Sequence, residues 1–276
     1  MQEFLKRAAV AVLGIPLIVY LTYRGGWFWF AFILIVSTVG QWEFYRMQRN
    51  KNIHPQGSTG ILVGILILLG IQSEAWLGTS LVLAFGLMLI LAVEMWRNDP
   101  QAGINSGITI LGIIYIPVFL GSLLYLRNHL DHNGLSLAAA AAGFKFTMTV
   151  LVSIWIADTF AYIFGTLLGR HKLFVKVSPN KSVEGAVFGF IGSVLVFVLA
   201  DRTGFLPIGL TKSLIFGITL GIVAQIGDLV ESWFKRDSGV KDSSAIFPGQ
   251  GGMLDIFDGL IYSSPLVLIM TYLLLG

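Results

Sequence analysis

The sequence predicts an all-α, polytopic integral membrane protein with about nine transmembrane helices, and three observations carry that prediction. Of 276 residues, 55% are hydrophobic and only 12% are charged, about half the charged share of an ordinary soluble domain. The mean hydropathy is +0.81. The apolar residues also fall in nine separate runs, most of them long enough to cross a hydrocarbon core of about 30 Å. Inside a bilayer every backbone amide needs an internal partner, so helices are the way such runs cross.

The runs lie at 8–23, 27–45, 58–72, 76–95, 104–126, 146–168, 185–200, 211–230 and 259–275. Lys6 and Arg7 before the first run imitate a secretory leader. No small-residue cleavage site follows, and the next apolar run opens at Trp27, so the first run reads as a span. The runs at 58–72 and 185–200 are the shortest. Trp27, Trp29, Trp76 and Trp96 stand at span ends, as in an aromatic belt. Glu94, His54 and His171 read as interfacial. His129 and His132 flank Asp131 in a loop that reads as solvated.

Composition excludes several functions. With no cysteine there is no disulfide, no thiolate metal site and no cysteine nucleophile. The net charge of +3 comes without a basic run interleaved with aromatics, so nucleic acid is not an expected partner.

Charge also predicts topology. With the N-terminus inside and nine alternating spans, thirteen of the 18 Lys and Arg fall on the cytoplasmic side, as the positive-inside rule requires. Arg24, Arg127, Lys145, Arg202 and Lys212 fall on the other. The expected organisation is one continuous membrane domain. Residues 1–140 supply the N-terminal helices, and 141–276 supply the catalytic helices with two cytoplasmic segments, 169–184 and 231–258.

Those segments hold the residues able to do chemistry. Asp228, Glu231, Ser232 and Lys235 are spaced by three, four and seven, so they share a helical face. Asp255 and Asp258 share another at the start of the last run. Between them lies a Pro248-Gly249-Gln250-Gly251-Gly252 loop, whose Gly251 and Gly252 let backbone approach a ligand. Amides at a helix start attract phosphate. Mg²⁺ is commonly held by one or two carboxylates together with substrate phosphates. Taken singly, each of these charges reads equally well as a solvated helix cap.

Together they carry a resemblance. Ser232-x-Phe234-Lys235-Arg236, Lys241-Asp242 and Pro248-Gly249-x-Gly251-Gly252-x-Leu254-Asp255-x-x-Asp258 resemble the signature of the phosphatidate cytidylyltransferase (CDP-diacylglycerol synthase) family. A second block is similar to the family's other cytoplasmic segment: Ala157-Asp158-Thr159, Gly169-Arg170-His171-Lys172, and Ser178-Pro179-x-Lys181-Ser182-x-Glu184-Gly185. Trp42-Glu43-Phe44-Tyr45 is also family-like. The chain departs from the pattern at Gln250 (His in the family), Ile256 (Arg), Phe160 (Gly), Asn180 (Lys) and Val183 (Trp).

The resemblance implies transfer of CMP from CTP to phosphatidate, giving CDP-diacylglycerol and pyrophosphate at the cytoplasmic face of an inner membrane. It implies Asp228, Asp255 and Asp258 as ligands of Mg²⁺, with Asp228, Asp255, Asp258 and Lys235 catalytic. Lys181, Arg236, Lys241, Ser232, Gly251 and Gly252 would bind substrate. Asp158 and Glu184 would hold a second metal or orient a lysine. A monovalent cation and a homodimer remain open expectations. Two rivals stand beside this reading: a CTP-dependent enzyme acting on another lipid phosphate or a polyprenol, and a transporter in which Asp158 and Asp228 mark an ion path.

Overall fold

The computed structural model describes residues 2–130, 142–247 and 249–275, with side chains from residue 12 onward. Asp131, His132 and Pro248 lie outside the described residues. The helices are α1 (Gln2–Arg24), α2 (Gly26–Arg49), α3 (Gly57–Gln72), α4 (Trp76–Arg97), α5 (Ala102–Ile113), α6 (Phe119–His129), α7 (Ala142–Leu168), α8 (Val183–Arg202), α9 (Leu210–Asp237) and α10 (Met253–Leu275). Strands β1 (Lys172–Phe174) and β2 (Ser178–Ser182) form an antiparallel hairpin between α7 and α8.

Among the described residues, seven helical stretches are long and apolar enough to cross a membrane: α2, α4, α5 through α6, α7, α8, α9 and α10. Val12–Arg24 and Gly57–Gln72 are shorter apolar helices. Each of the nine apolar runs is therefore a helix. The Ala102–His129 span stays continuous across Pro117 because residues Ile114–Val118 form a π-helical turn, which absorbs the donor that proline lacks.

The chain forms two compact units. The first comprises Met1–Tyr125 and Phe234–Phe257, and Tyr45 organises much of its interior. Its ring lies against Gly60 of α3 and Gly112 of α5, where a Cβ at either position would overlap the ring. Its hydroxyl donates to Thr109 O at 2.8 Å. Gln41, one turn earlier, donates to Gly60 O at 3.1 Å.

Two sequence expectations are corrected here. Glu94 is buried, not interfacial. Its Oε1 accepts from Asn105 Nδ2 at 2.9 Å, and its Oε2 accepts from Gln56 Nε2 at 2.8 Å and from Arg97 at 3.0 Å. A carboxylate leaves water when enough donors replace it, and here they come from the α3 approach, α4 and α5. Trp29 is also fully buried, so it packs the interior while Trp27, Trp76 and Trp96 remain exposed.

The second unit comprises Leu126–Trp233 and Asp258–Gly276. Small residues let its helices approach closely, as is common in membranes. A Cβ on Gly185 would come within 2.7 Å of Ala161 O, and one on Gly189 within 2.8 Å of Ala157 O, so α7 and α8 touch backbone to backbone. Ser193 of α8 pairs with Ser153 of α7 at 2.7 Å and donates to Gly217 O of α9 at 2.9 Å.

Replacing Glu94 with Leu strips the acceptor from Gln56, Asn105 and Arg97. The expected result is a loss of about 2 kcal/mol or more, read as a lower midpoint of thermal unfolding in detergent.

Candidate active site

The sequence singled out acidic residues near the ends of α9 and α10, and each unit gathers a part of that set. In the second unit, α9 and α10 pack at glycine. A Cβ on Gly227 would lie 2.6 Å from Tyr262 Cβ and 3.1 Å from Asp258 O, and one on Gly259 would lie 3.2 Å from Ala224 O. This close approach brings the neighbouring carboxylates together. Asp258 lies within electrostatic reach of Asp228, Glu231 and Asp158. Asp158, on α7, senses Asp228 and Lys181.

Lys181, at the end of β2, forms an ion pair with Asp228. Both side chains are about one-third exposed, at 28% and 32%, so the pair is open to incoming groups. Ser232 donates to Asp228 Oδ1 at 3.3 Å, and Gly259 N donates to Asp258 Oδ1 at 2.5 Å. Four acids and one lysine thus stand in one neighbourhood. Among the described residues, no three His, Cys, Asp or Glu side chains stand ready as a metal site.

In the first unit the start of α10 is held by acids. Asp255 Oδ1 accepts from Lys235 Nζ at 2.5 Å. Its Oδ2 accepts from Ser243 N at 2.9 Å, Ser243 Oγ at 2.7 Å and Gly252 N at 2.7 Å. The bond to Gly252, the residue just before the helix, is the return half of a capping box. The same turn receives Glu43 from the last two turns of α2, where the side chain is fully buried. Met253 N donates to Glu43 Oε1 at 2.9 Å and Leu254 N to Oε2 at 2.7 Å. Ser244 donates its hydroxyl to Oε1 of the same carboxylate at 2.5 Å, and Ser243 Oγ, whose one proton is shared with Asp255, lies 3.1 Å from Oε2.

This corrects one expectation. The amides of Gly252, Met253 and Leu254 do not offer themselves to phosphate, because Asp255 and Glu43 occupy them. The glycines serve the carboxylates. A Cβ on Gly252 would overlap Ser243 and Glu43, and Gly251 adopts φ +94° with Asp255 beside it. Gln48 of α2 donates through Nε2 to Ser238 Oγ at the far end of the loop at 3.1 Å, and Lys51, just after α2, pairs with Asp237 at the end of α9 at 2.8 Å. Phe234 packs edge-on to Phe44 at 5.3 Å and to Tyr115 at 5.6 Å.

The other predicted residues sit nearby in sequence but outside these two networks. Glu184 accepts from Arg170 N at 3.1 Å and His171 N at 3.3 Å, and contacts His171 Nδ1 at 2.6 Å. Its bonds therefore secure the base of the hairpin. Arg236 donates to Val240 O at 3.1 Å, and Lys241 is exposed. Sequence reasoning passed over Glu43 as a site residue, along with Ser243, Ser244 and the clustering of Glu231 with Asp258. The available signal was an ionisable residue inside an aromatic span, which in a membrane points to function by default.

Fold and site together define an integral membrane protein whose acids converge where α7, α9 and α10 meet, with a second acid-held turn at the start of α10. The family model described as the cytidylyltransferase family matches residues 5–274. The phosphatidate cytidylyltransferase of Synechocystis is 33% identical over 286 residues, covering 98% of this chain and 97% of the relative. Those of Staphylococcus epidermidis and Staphylococcus saprophyticus are 28% and 29% identical, each covering 95% of this chain and 96% of the relative. The chain belongs to the cytidylyltransferase family.

Glu43→Gln puts an amide where one of the two helix-start N–H groups needs an acceptor. It is expected to lower turnover at least 10-fold with the protein still folded, measured as CMP transfer beside a thermal melt. Gly227→Leu, which forces α9 from α10, should abolish turnover in the same assay.

Proposed function

We propose that this chain is a phosphatidate cytidylyltransferase of the cytoplasmic membrane, with its N-terminus and active site on the cytoplasmic side. The observation that carries the reading is the match to its family and relatives along nearly the whole chain. Thirteen of the 18 Lys and Arg fall on the side assigned to the cytoplasm, and the relatives are bacterial enzymes.

In the reaction, an oxygen of the lipid phosphate attacks the α-phosphorus of CTP. The bond from that phosphorus to the bridging oxygen breaks, and pyrophosphate leaves. The lipid phosphate is already an anion and needs no strong base. The difficulty is to bring two anions together and to stabilise the leaving charge.

The acids of the second unit suit a hard divalent cation. Asp228 and Asp258 share one negative neighbourhood with Asp158, and Mg²⁺ ordinarily combines one or two carboxylates with substrate phosphates instead of requiring an all-protein cage. Asp228 and Asp258 would hold it, and when bound it supplies charge neutralisation and alignment of phosphate oxygens. Asp255 was expected in the same ligand set. Its oxygens are engaged by Lys235, Ser243 and Gly252, which supports a different duty: holding Lys235 and the loop in place. Lys235 then stays oriented as a phosphate-binding cation, and exposed Lys241 and Arg236 draw the nucleotide toward the loop. Lys181, paired with Asp228, supplies a further cation at the acidic cluster.

The purified protein in detergent, given labelled CTP, phosphatidate and Mg²⁺, should form lipid-linked CMP and pyrophosphate. Chelation should stop the reaction, and Mg²⁺ should restore it. Transfer to a polyprenol phosphate but not to phosphatidate would overturn the substrate assignment. Ion flux without CMP transfer would favour the transporter. Asp228→Asn, Asp255→Asn and Asp258→Asn should each lower CMP transfer by roughly 100-fold or more with the protein still inserted. The melting midpoint should stay near that of the parent in Asp228→Asn and Asp258→Asn and fall in Asp255→Asn, whose carboxylate holds Lys235, Ser243 and Gly252.

A further inference from the structure

The β1–β2 hairpin carries a feature that none of this chemistry uses. Its turn exposes Phe174 (51%) and Val175 (62%), and its two flanking lysines, Lys172 and Lys176, are exposed as well. Among the described residues, neither lysine's ammonium group has an ion-pair or hydrogen-bond partner. Hairpin turns that face water are usually built from Gly, Asn, Asp or Ser, whereas this one reads Phe174-Val175-Lys176-Val177.

Position narrows what covers it. The hairpin leaves one membrane span, α7, and enters the next, α8. At about 3.3 Å per strand residue, its turn stays within roughly 20 Å of both span ends. Exposed apolar residues also stand at both of those ends, Leu168 of α7 and Val183 of α8. The base is fixed, because Val183 N donates to His171 O at 2.9 Å, and Glu184 ties down Arg170 and His171. The exposed tip is thus held out by a built base, next to lipid-facing surface. An apolar body with unpaired ammonium groups beside it is the composition of a segment lying in the headgroup layer, with lysine stems along the apolar surface and their charges at the phosphates.

We infer that the hairpin tip is a lipid-contact surface: Phe174 and Val175 enter the acyl boundary, and Lys172 and Lys176 bind the phosphates of anionic phospholipids. This anchors the strand that presents Lys181. The inference does not depend on the identity of the reaction.

The absence of cysteine permits a direct test. Phe174→Cys and Val175→Cys, made singly in the full-length protein and spin-labelled, are placed in nanodiscs of phosphatidylcholine with phosphatidylglycerol. Collisions with oxygen and with a water-soluble nickel chelate are then compared with those of labels at Leu91, on a lipid-exposed face of α4, and at exposed Gln101. At both tip positions oxygen access should exceed nickel access several-fold, as at Leu91. Adding Lys172→Gln and Lys176→Gln should lower that ratio at least 2-fold in the anionic discs and leave it unchanged in pure phosphatidylcholine. Nickel access like that of Gln101 would place the tip in water and overturn the inference. So would exclusion of both reagents with spin–spin broadening, which would mean that a second copy covers the tip. Equal ratios with and without the lysines in anionic discs would remove their role. Labelling two neighbouring exposed positions guards against one substitution disturbing the fold.

Discussion

A carboxylate buried in the last two turns of a membrane helix sets the geometry of the first unit. Glu43 is removed from solvent, and such a group persists only where donors replace its water. Two backbone amides at the start of α10 and the hydroxyl of Ser244 do this, with the Ser243 hydroxyl shared between Glu43 and Asp255. The bonds are charge-assisted, and they lie at the positive end of the α10 dipole. One side chain therefore fixes where α10 begins and how the loop arrives there. Asp255 repeats the device one turn along and adds Lys235, so the position of that lysine follows from the same set of bonds.

This arrangement gives the glycines of the loop a specific purpose. Gly252 leaves room for Glu43 and Ser243, and Gly251 turns the chain through a positive φ beside Asp255. In the second unit, glycines act between helices. Gly227 and Gly259 let α9 meet α10 closely enough that Asp228 and Asp258 share one electrostatic environment. Gathering like charges is unfavourable on its own. In the proposed reaction, cations that accompany the substrate's phosphates would offset that cost.

Much of this was legible in the sequence. All nine apolar runs are helices, because twenty or so apolar residues leave the backbone few alternatives in lipid. Asp228 and Asp258, near the ends of their runs, lie within electrostatic reach of each other and of Asp158, which lies inside its run. The amides at the start of α10 misled, since a helix start that attracts phosphate attracts an internal carboxylate equally well. Glu43 lies 211 residues from Leu254, and local periodicity carries no information about a partner so distant. Glu94 was misread for a related reason. A carboxylate one turn from the end of a span looks interfacial until Gln56 and Asn105 are seen to meet it. The hairpin at 172–182 also escaped notice, because its short strands have little alternation.

Hydrogen exchange at the start of α10 tests the central role of Glu43 most directly. In the parent protein, the amides of Met253 and Leu254 should exchange as slowly as those in the interior of α10. In Glu43→Ala they should exchange far faster, together with the Ser243–Gly252 loop. Fast exchange of both amides in the parent, or equal protection with and without the Glu43 side chain, would contradict the account.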